Sequence, residues 1–351
     1  MERTKTKQVK IGNTFLGGNN RILIQSMCNI KTSKVNEVVK QINDCAIEGA
    51  ELMRVSILDY DDAYAIKEIV SKINIPLIAD IHFNYKFALL AIENGASKIR
   101  INPGNLKSED ELIQIIEVAK KHHVAIRIGV NGGSLDEKLY EEFPNRPLYF
   151  LLCQSALKYI NFFENHNFFD LVISLKTSNI IDTIKAYEEF SNLSNYPLHI
   201  GLTESGFDEI GIIKSVAALS PLILKGIGNT IRISLTDDPL KEIKTCKRLL
   251  HDLGLYPNYP TIISCPTCGR TQVDVKTLAI KTYDYLEKNH INKKVAIMGC
   301  IVNGIGEGKN SDIGLAGGKN EYIIFKDGKI LKTVKEKDAL NELFKELDKM
   351  K

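Results

Sequence analysis

Ala125-Ile126-Arg127-Ile128-Gly129-Val130-Asn131 alternates isoleucine and valine with arginine, glycine and asparagine. Successive side chains of a strand point to opposite faces, so this segment has one apolar face and one face that carries a cation and an amide. The same pattern recurs along the chain. Arg54 shares a face with Ser56, Asp80 with His82, Arg100 with Asn102, Ser174 with Lys176 and Arg232 with Ser234, while Val55 and Ile57, Ile99 and Ile101, Ile173 and Leu175, and Ile231 and Ile233 hold the opposite parity.

These strands belong to a repeating unit of short β-rich run, polar turn and helically spaced apolar residues, counted eight times between Ile22 and about Leu250. The strands are predicted at Ile22–Met27, Glu51–Ile57, Pro76–His82, Lys98–Asn102, Ala125–Asn131, Leu171–Lys176, Leu198–Glu204 and Thr230–Leu235. Predicted helices include Val35–Glu48, Tyr60–Ser71, Lys86–Asn94, Asp110–His122, Ile181–Ser191, Glu209–Ala218 and Pro239–Leu253. Eight consecutive βα units most simply close into a TIM (β/α)8 barrel, residues 1–253. A doubly wound open sheet is the alternative, but no Gly-x-Gly-x-x-Gly turn follows the first strand.

Helices cover the outside of such a barrel, so the apolar parity points outward and the polar parity inward. Buried cations without partners are very costly, and the arginines and the lysine outnumber the nearby carboxylates. An interior of this kind calls for an anionic guest at the C-terminal ends of the strands, and the planar fork of arginine suits phosphate oxygens. His82 and Glu204 take their meaning from this set, whereas His122 and His123 fall at a solvated helix end.

The pattern breaks at Leu255-Tyr256-Pro257-Asn258-Tyr259-Pro260, placing a linker at 254–264 and a small α+β domain at 265–351. That domain reads as a cysteine turn, a helix near Thr271–Lys288, a strand near Lys293–Met298 and a glycine-rich loop Gly299–Gly308. A hairpin turning at Asp327-Gly328 and a terminal helix from about Lys335 complete it. Of seven cysteines, Cys28, Cys45, Cys153 and Cys246 stand alone and read as small buried hydrophobes. Cys265-Pro266-Thr267-Cys268 has no second Cys-x-x-Cys to complete a zinc ribbon, since Cys300 alone follows it. Three cysteines leave one corner of a metal site to another ligand, as in an iron–sulfur cube with an exchangeable iron, and Glu307 is the nearby carboxylate. A structural zinc and a redox dithiol remain the competing readings.

With 351 residues, a net charge of +3, and no signal-peptide or membrane-spanning run, the chain reads as a cytoplasmic protein whose partner is neither nucleic acid nor membrane. Over nearly its whole length it resembles the 4-hydroxy-3-methylbut-2-enyl diphosphate synthase family. The resemblance rests on Cys265-Pro266-Thr267-Cys268-Gly269-Arg270 and on Gly299-Cys300-Ile301-Val302-Asn303-Gly304-Ile305-Gly306-Glu307. Ala79-Asp80-Ile81-His82-Phe83, Arg100-Ile101-Asn102-Pro103-Gly104-Asn105 and Gly201-Leu202-Thr203-Glu204 support it. It implies a 4Fe-4S cluster held by Cys265, Cys268, Cys300 and Glu307, and reductive ring opening of a cyclic diphosphate. It further implies diphosphate and substrate contacts from Arg54, Asp80, His82, Arg100, Arg127, Asn131, Lys176, Arg232 and Ser234, with Glu204 as acid/base residue. Flavodoxin or ferredoxin as electron donor and a head-to-tail homodimer follow from the same resemblance. Asn229 departs from the aspartate expected there. Two further classes stay open: a non-redox, pterin-type barrel synthase with a zinc appendage, and a cluster-bearing regulatory binding protein.

Overall fold

The computed structural model describes residues 3–106, 108–301, 305–306, 308–318 and 321–351, without the side chain of Ser134. Two compact units divide the chain, Met1–Leu255 and Tyr256–Lys351.

The first unit opens with an antiparallel hairpin, β1 (Gln8–Ile11) and β2 (Thr14–Gly17). Eight parallel strands follow: β3 (Leu23–Met27), β4 (Leu52–Ile57), β5 (Leu77–Ile81), β6 (Lys98–Ile101), β7 (Ala125–Asn131), β8 (Leu171–Lys176), β9 (His199–Ile200) and β10 (Thr230–Ile231). They neighbour one another in sequence order, and β10 returns to β3. A bridge between Ile173 and Leu198 links the β8 and β9 sides and closes the ring. The helices are α1 (Val35–Glu48), α2 (Tyr60–Ser71), α3 (Tyr85–Glu93), α4 (Glu109–His122), α5 (Glu137–Glu142), α6 (Leu148–Asn165), α7 (Ile180–Leu193), α8 (Asp208–Leu224) and α9 (Pro239–Asp252).

Local chemistry sets their bounds. Asp59, Ser108 and Asn179 accept backbone N–H bonds at the starts of α2, α4 and α7. In α4 the first turn is acidic and the last is Lys120, Lys121 and His122, complementing the helix dipole; His122 and His123 lie exposed at that end, as expected.

The hairpin decides which end of the barrel is open. Val9, Ile11 and Leu16 pack against Leu23, Leu52, Ile78, Ala125 and Val172, all at the starts of barrel strands. Burying each of the three hairpin side chains contributes roughly 1.5–3 kcal/mol, so the N-terminal end is sealed by a dry plug. The sequence reading did not find this hairpin, nor α5 and α6. Two predicted strands are shorter than expected, since Leu198–Glu204 keeps ladder pairing only at β9 and Thr230–Leu235 only at β10. Beyond β10 the chain is carried instead by single bonds such as Arg232 N to Ile200 O (3.1 Å) and by a side chain of α9.

The second unit holds β11 (Thr261–Ser264), α10 (Val275–Lys288), β12 (Lys294–Met298), β13 (Ile313–Gly317), β14 (Glu321–Lys326), β15 (Lys329–Lys335) and α11 (Ala339–Asp348). Its sheet runs in the order β11 to β15, parallel at first and antiparallel after β13. The stretch 254–264 is therefore not linker throughout. Thr261–Ser264 pairs with Lys294–Ile297, a partner about thirty residues away that local composition does not reveal. Asp327 and Gly328 both adopt positive φ, the geometry a two-residue hairpin turn with matching twist requires. Val295, Ile297, Leu315 and Ile324 from the sheet meet Leu286, Leu343 and Leu347 from the helices in one core.

Candidate active site

At the C-terminal end of the barrel, opposite the hairpin, lies a cavity of about 250 Å³ lined by Arg54, Asp80, His82, Arg100, Arg127, Asn131, Ser174, Lys176, Leu202, Thr203, Arg232 and Ser234. All nine residues assigned to substrate on the resemblance face this one space. Two glycines make room for the long cations. A Cβ at Gly129 would come within 2.5 Å of Arg100 Nε, and one at Gly201 within 2.7 Å of Lys176 Nζ and 2.8 Å of the Arg232 carbonyl oxygen.

Charge in this interior is unbalanced. Arg54, Lys98, Arg100, Arg127, Lys176 and Arg232 share it with two carboxylates, Asp80 and Glu242, among the described residues. Asp80 lies 3.3 Å from Arg100 Nη1 and 3.6 Å from Arg54 Nε. Burial pushes its carboxyl up, but Arg54, Arg100 and Arg127 outweigh burial and hold it below the usual carboxylate range. Burial takes Arg54 down to about 10, with Asp80 opposing. Arg127 and Lys176 are driven well below their ordinary values, first by burial and then by the neighbouring arginines. Nε and Nη1 of Arg127, only 1% exposed, have no hydrogen-bond partner among the described residues. A multiply charged anion would satisfy these donors and offset their repulsion.

Three interior residues escaped the sequence reading. Lys98 is fully buried, its Nζ without a partner among the described residues, and it lies two positions before Arg100 on the same face, so the parity rule applied one step further finds it. His199 is buried beside Thr230 (Nδ1 to Oγ1, 2.7 Å) and stays neutral, since burial and then Arg127 and Lys176 depress its pKa well below the usual range. Glu242 is buried on α9, where an acid at an apolar-stripe position was the available signal. Glu204 is exposed and does not line the cavity. It sits in the loop after β9 with φ of 53°, a left-handed conformation uncommon outside glycine. Asn229 has a structural placement, accepting from Leu198 N (2.9 Å) and donating to Thr6 Oγ1 (3.2 Å).

In the second unit, Cys265 directly follows β11, and Cys300 lies two residues beyond the adjacent parallel strand β12. The Cys265 Sγ accepts from Gly299 N at 3.2 Å. Thr267 at φ of 60° turns the chain toward Cys268, whose N–H donates to Thr271 Oγ1 (3.0 Å). A Cβ at Gly299 would meet Thr271 Cγ2 at 2.9 Å and Val275 Cγ2 at 3.0 Å, so any side chain there would force these neighbours to shift. Hydrogen bonding from the Arg270 backbone, with help from its charge, lowers the pKa of the exposed Cys268 thiol. The other four cysteines are buried and pushed up to about 12 by burial, which makes them poor ligands. Cys265, Cys268 and Cys300 are unpaired thiols and sit at one end of a sheet, with N–H donors at Cys265 and Cys268; this donor set suits a thiolate-held iron–sulfur group. Among the described residues no three metal-binding side chains converge tightly enough for a single ion, and a cube takes its thiolates at separate corners. Glu307 lies outside the described residues.

Comparison with known proteins agrees with both units. Residues 6–247 match the GcpE TIM-barrel domain and residues 261–349 the GcpE protein C-terminal domain. A Caldanaerobacter subterraneus protein named 4-hydroxy-3-methylbut-2-en-1-yl diphosphate synthase (flavodoxin) is 49% identical over 99% of this chain and 98% of its own. Proteins of the same name from Clostridium perfringens and Malacoplasma penetrans are each 48% identical over 98% of this chain and over 99% and 94% of theirs. Among solved structures, dihydropteroate synthases from Thermus thermophilus (TM-score 0.53, 12% identity, 71% of this chain and 99% of theirs) and Stenotrophomonas maltophilia (0.51, 14%, 69% and 97%) share the barrel, a likeness of fold alone. Matched in both units and nearly half identical to these synthases from end to end, the chain belongs to the GcpE family.

Proposed function

We propose that this chain is a 4-hydroxy-3-methylbut-2-enyl diphosphate synthase: it opens the ring of 2-C-methyl-D-erythritol 2,4-cyclodiphosphate reductively and releases (E)-4-hydroxy-3-methylbut-2-enyl diphosphate. The observation that carries the substrate class is the barrel cavity, whose lining holds five cations, Arg54, Arg100, Arg127, Lys176 and Arg232, against one carboxylate, Asp80. Ring opening consumes two electrons and one proton, expels water, and converts a cyclic dianion into a linear diphosphate with one more negative charge. A site with surplus positive charge favours that change, because electrostatic stabilisation is strongest where charge develops.

Arg54, Arg100, Arg127, Lys176 and Arg232 bind the diphosphate, and Asn131 and Ser234 add neutral contacts at the same mouth. Asp80 holds Arg54 and Arg100 in position between ligands. His82 faces the same space. Glu204, exposed beside the mouth, is the carboxylate for proton movement, and its left-handed backbone is the kind of local strain that functional loops retain. Cys265, Cys268, Cys300 and Glu307 would hold the 4Fe-4S cluster, which when bound would relay the donor's two electrons one at a time and supply a Lewis-acidic iron.

Flavodoxin is the proposed donor, in keeping with the names of the relatives, with ferredoxin the chemical equivalent. A head-to-tail homodimer completes the proposal. It is what the resemblance to the family implies. The setting is cytoplasmic, and no helix among the described residues is long and apolar enough to cross a membrane. Anaerobic reconstitution followed by turnover with reduced flavodoxin tests the proposal. About four irons per chain and formation of the linear diphosphate are expected, and a reduced, cluster-loaded protein that leaves the cyclodiphosphate intact would overturn it.

A further inference from the structure

We infer that Glu242, on the first turn of α9, is the positioning residue for Arg232: it fixes which N–H groups of that guanidinium face a bound diphosphate. The inference rests on the diphosphate reading of the cavity and adds to it a residue outside the cavity wall.

Glu242 is 2% exposed and fully committed. Its Oε1 accepts from Arg232 Nη2 (2.9 Å) and from the Leu235 backbone N–H (2.9 Å). Its Oε2 accepts from Arg232 Nε (2.9 Å) and from Ser26 Oγ (2.6 Å). Four donors occupy the four lone-pair positions a carboxylate offers, so this side chain cannot turn without breaking several bonds. The paired contact to Arg232 is the two-pronged geometry that fixes a guanidinium in one plane.

Of the five N–H groups of Arg232 the clamp leaves the second one on Nη2 and both on Nη1. Nη1 rests 3.5 Å from the Met27 sulfur, which also receives Arg54 Nε at 3.2 Å and Nη2 at 2.9 Å. A thioether is a weak acceptor, so phosphate oxygens would take these donors from it readily. Arg232 is therefore oriented before any ligand arrives, which lowers the ordering cost of binding.

The sign of one effect separates positioning from mere charge balance. Glu242→Gln raises the positive charge of the interior by one, and charge alone would tighten anion binding. Loss of the clamp weakens it. We expect Glu242→Gln to weaken binding of inorganic diphosphate about tenfold by calorimetric titration of the cluster-loaded protein, and to raise KM by a similar factor with kcat nearly unchanged. Glu242→Asp, which keeps the charge and recedes by one methylene, should fall between Gln and wild type. With Arg232→Met in place, Glu242→Gln should add nothing further, because the two residues act as one unit. Tighter binding in Glu242→Gln, or effects that simply add in the double variant, would overturn the inference. A wild-type protein that fails to bind diphosphate would instead overturn the reading of the cavity itself.

Discussion

Replacing Arg127 by methionine should make the protein more stable and its site worse, and these opposite signs follow from one fact. The Arg127 guanidinium is 1% exposed, leaves two of its nitrogens without partners among the described residues, and has Arg54 and Arg100 as charged neighbours, with Asp80 and Tyr187 opposing them. Exchange of a buried charge for an apolar side chain of similar length stabilises by roughly 1–4 kcal/mol where the charge is poorly compensated. For a unit of this size each kcal/mol moves the melting temperature by about 2–4 °C, so a rise of at least about 2 °C is expected in ligand-free protein. Diphosphate binding should lose the roughly 1.5–3 kcal/mol of a hydrogen bond to a charged group, about ten- to hundredfold in Kd. Scanning calorimetry and titration with inorganic diphosphate read the two quantities separately. A lower melting temperature with unchanged affinity would refute the reasoning, since Arg127 would then be holding the fold and not the ligand.

Gly201→Ala should raise KM more than Gly129→Ala: its Cβ meets both Lys176 Nζ and a backbone carbonyl that cannot yield, whereas at Gly129 only the Arg100 side chain is in the way; steady-state kinetics of the two variants checks the order. The depressed Lys176 and Lys98 give the free protein a distinctive pH dependence, because the unfolded chain binds more protons than the folded one. Stability should rise with pH between their lowered folded values and the ordinary lysine value, while diphosphate affinity falls over the same window; calorimetry and titration at several pH values read both, and parallel trends would contradict it. Mixed dimers of Glu204→Gln and Cys300→Ser chains should recover activity that neither variant has alone, and mixed dimers that form yet stay inactive would place the whole site within one chain.

The barrel was legible because the residues that make it are periodic. Ala125–Asn131 and Leu171–Lys176 were bounded correctly by parity alone, as were the helices Val35–Glu48 and Tyr60–Ser71 by apolar spacing. What escaped notice depends on contacts distant in sequence. Val9, Ile11 and Leu16 form an unremarkable alternation until the open bottom of a barrel gives them something to cover. Thr261–Ser264 looks like the tail of a proline-rich connection until β12 lies beside it. Residues 232–235 carry strand-like alternation, yet after one backbone bond from Arg232 N to Ile200 O the chain there is held by the Glu242 side chain.

The site divides along the same line. The cavity residues share one strand parity and one barrel end, so nine assignments converged on a single space. Glu242 was invisible to that rule because it sits on a helix ten residues past its partner, and the signal was an acid where α9 otherwise buries Ile243, Cys246, Leu249 and Leu250. Glu204 was named for its surrounding sequence, and the structure places it outside the cavity lining.

The most direct test is an electron count: the cluster-loaded protein, held anaerobically with excess cyclodiphosphate, receives a limiting, measured quantity of reductant. One linear diphosphate should appear for every two electrons consumed. Reductant consumed without product, or product formed without reductant, would contradict the proposal that the cationic barrel and the cysteine unit together perform a two-electron ring opening.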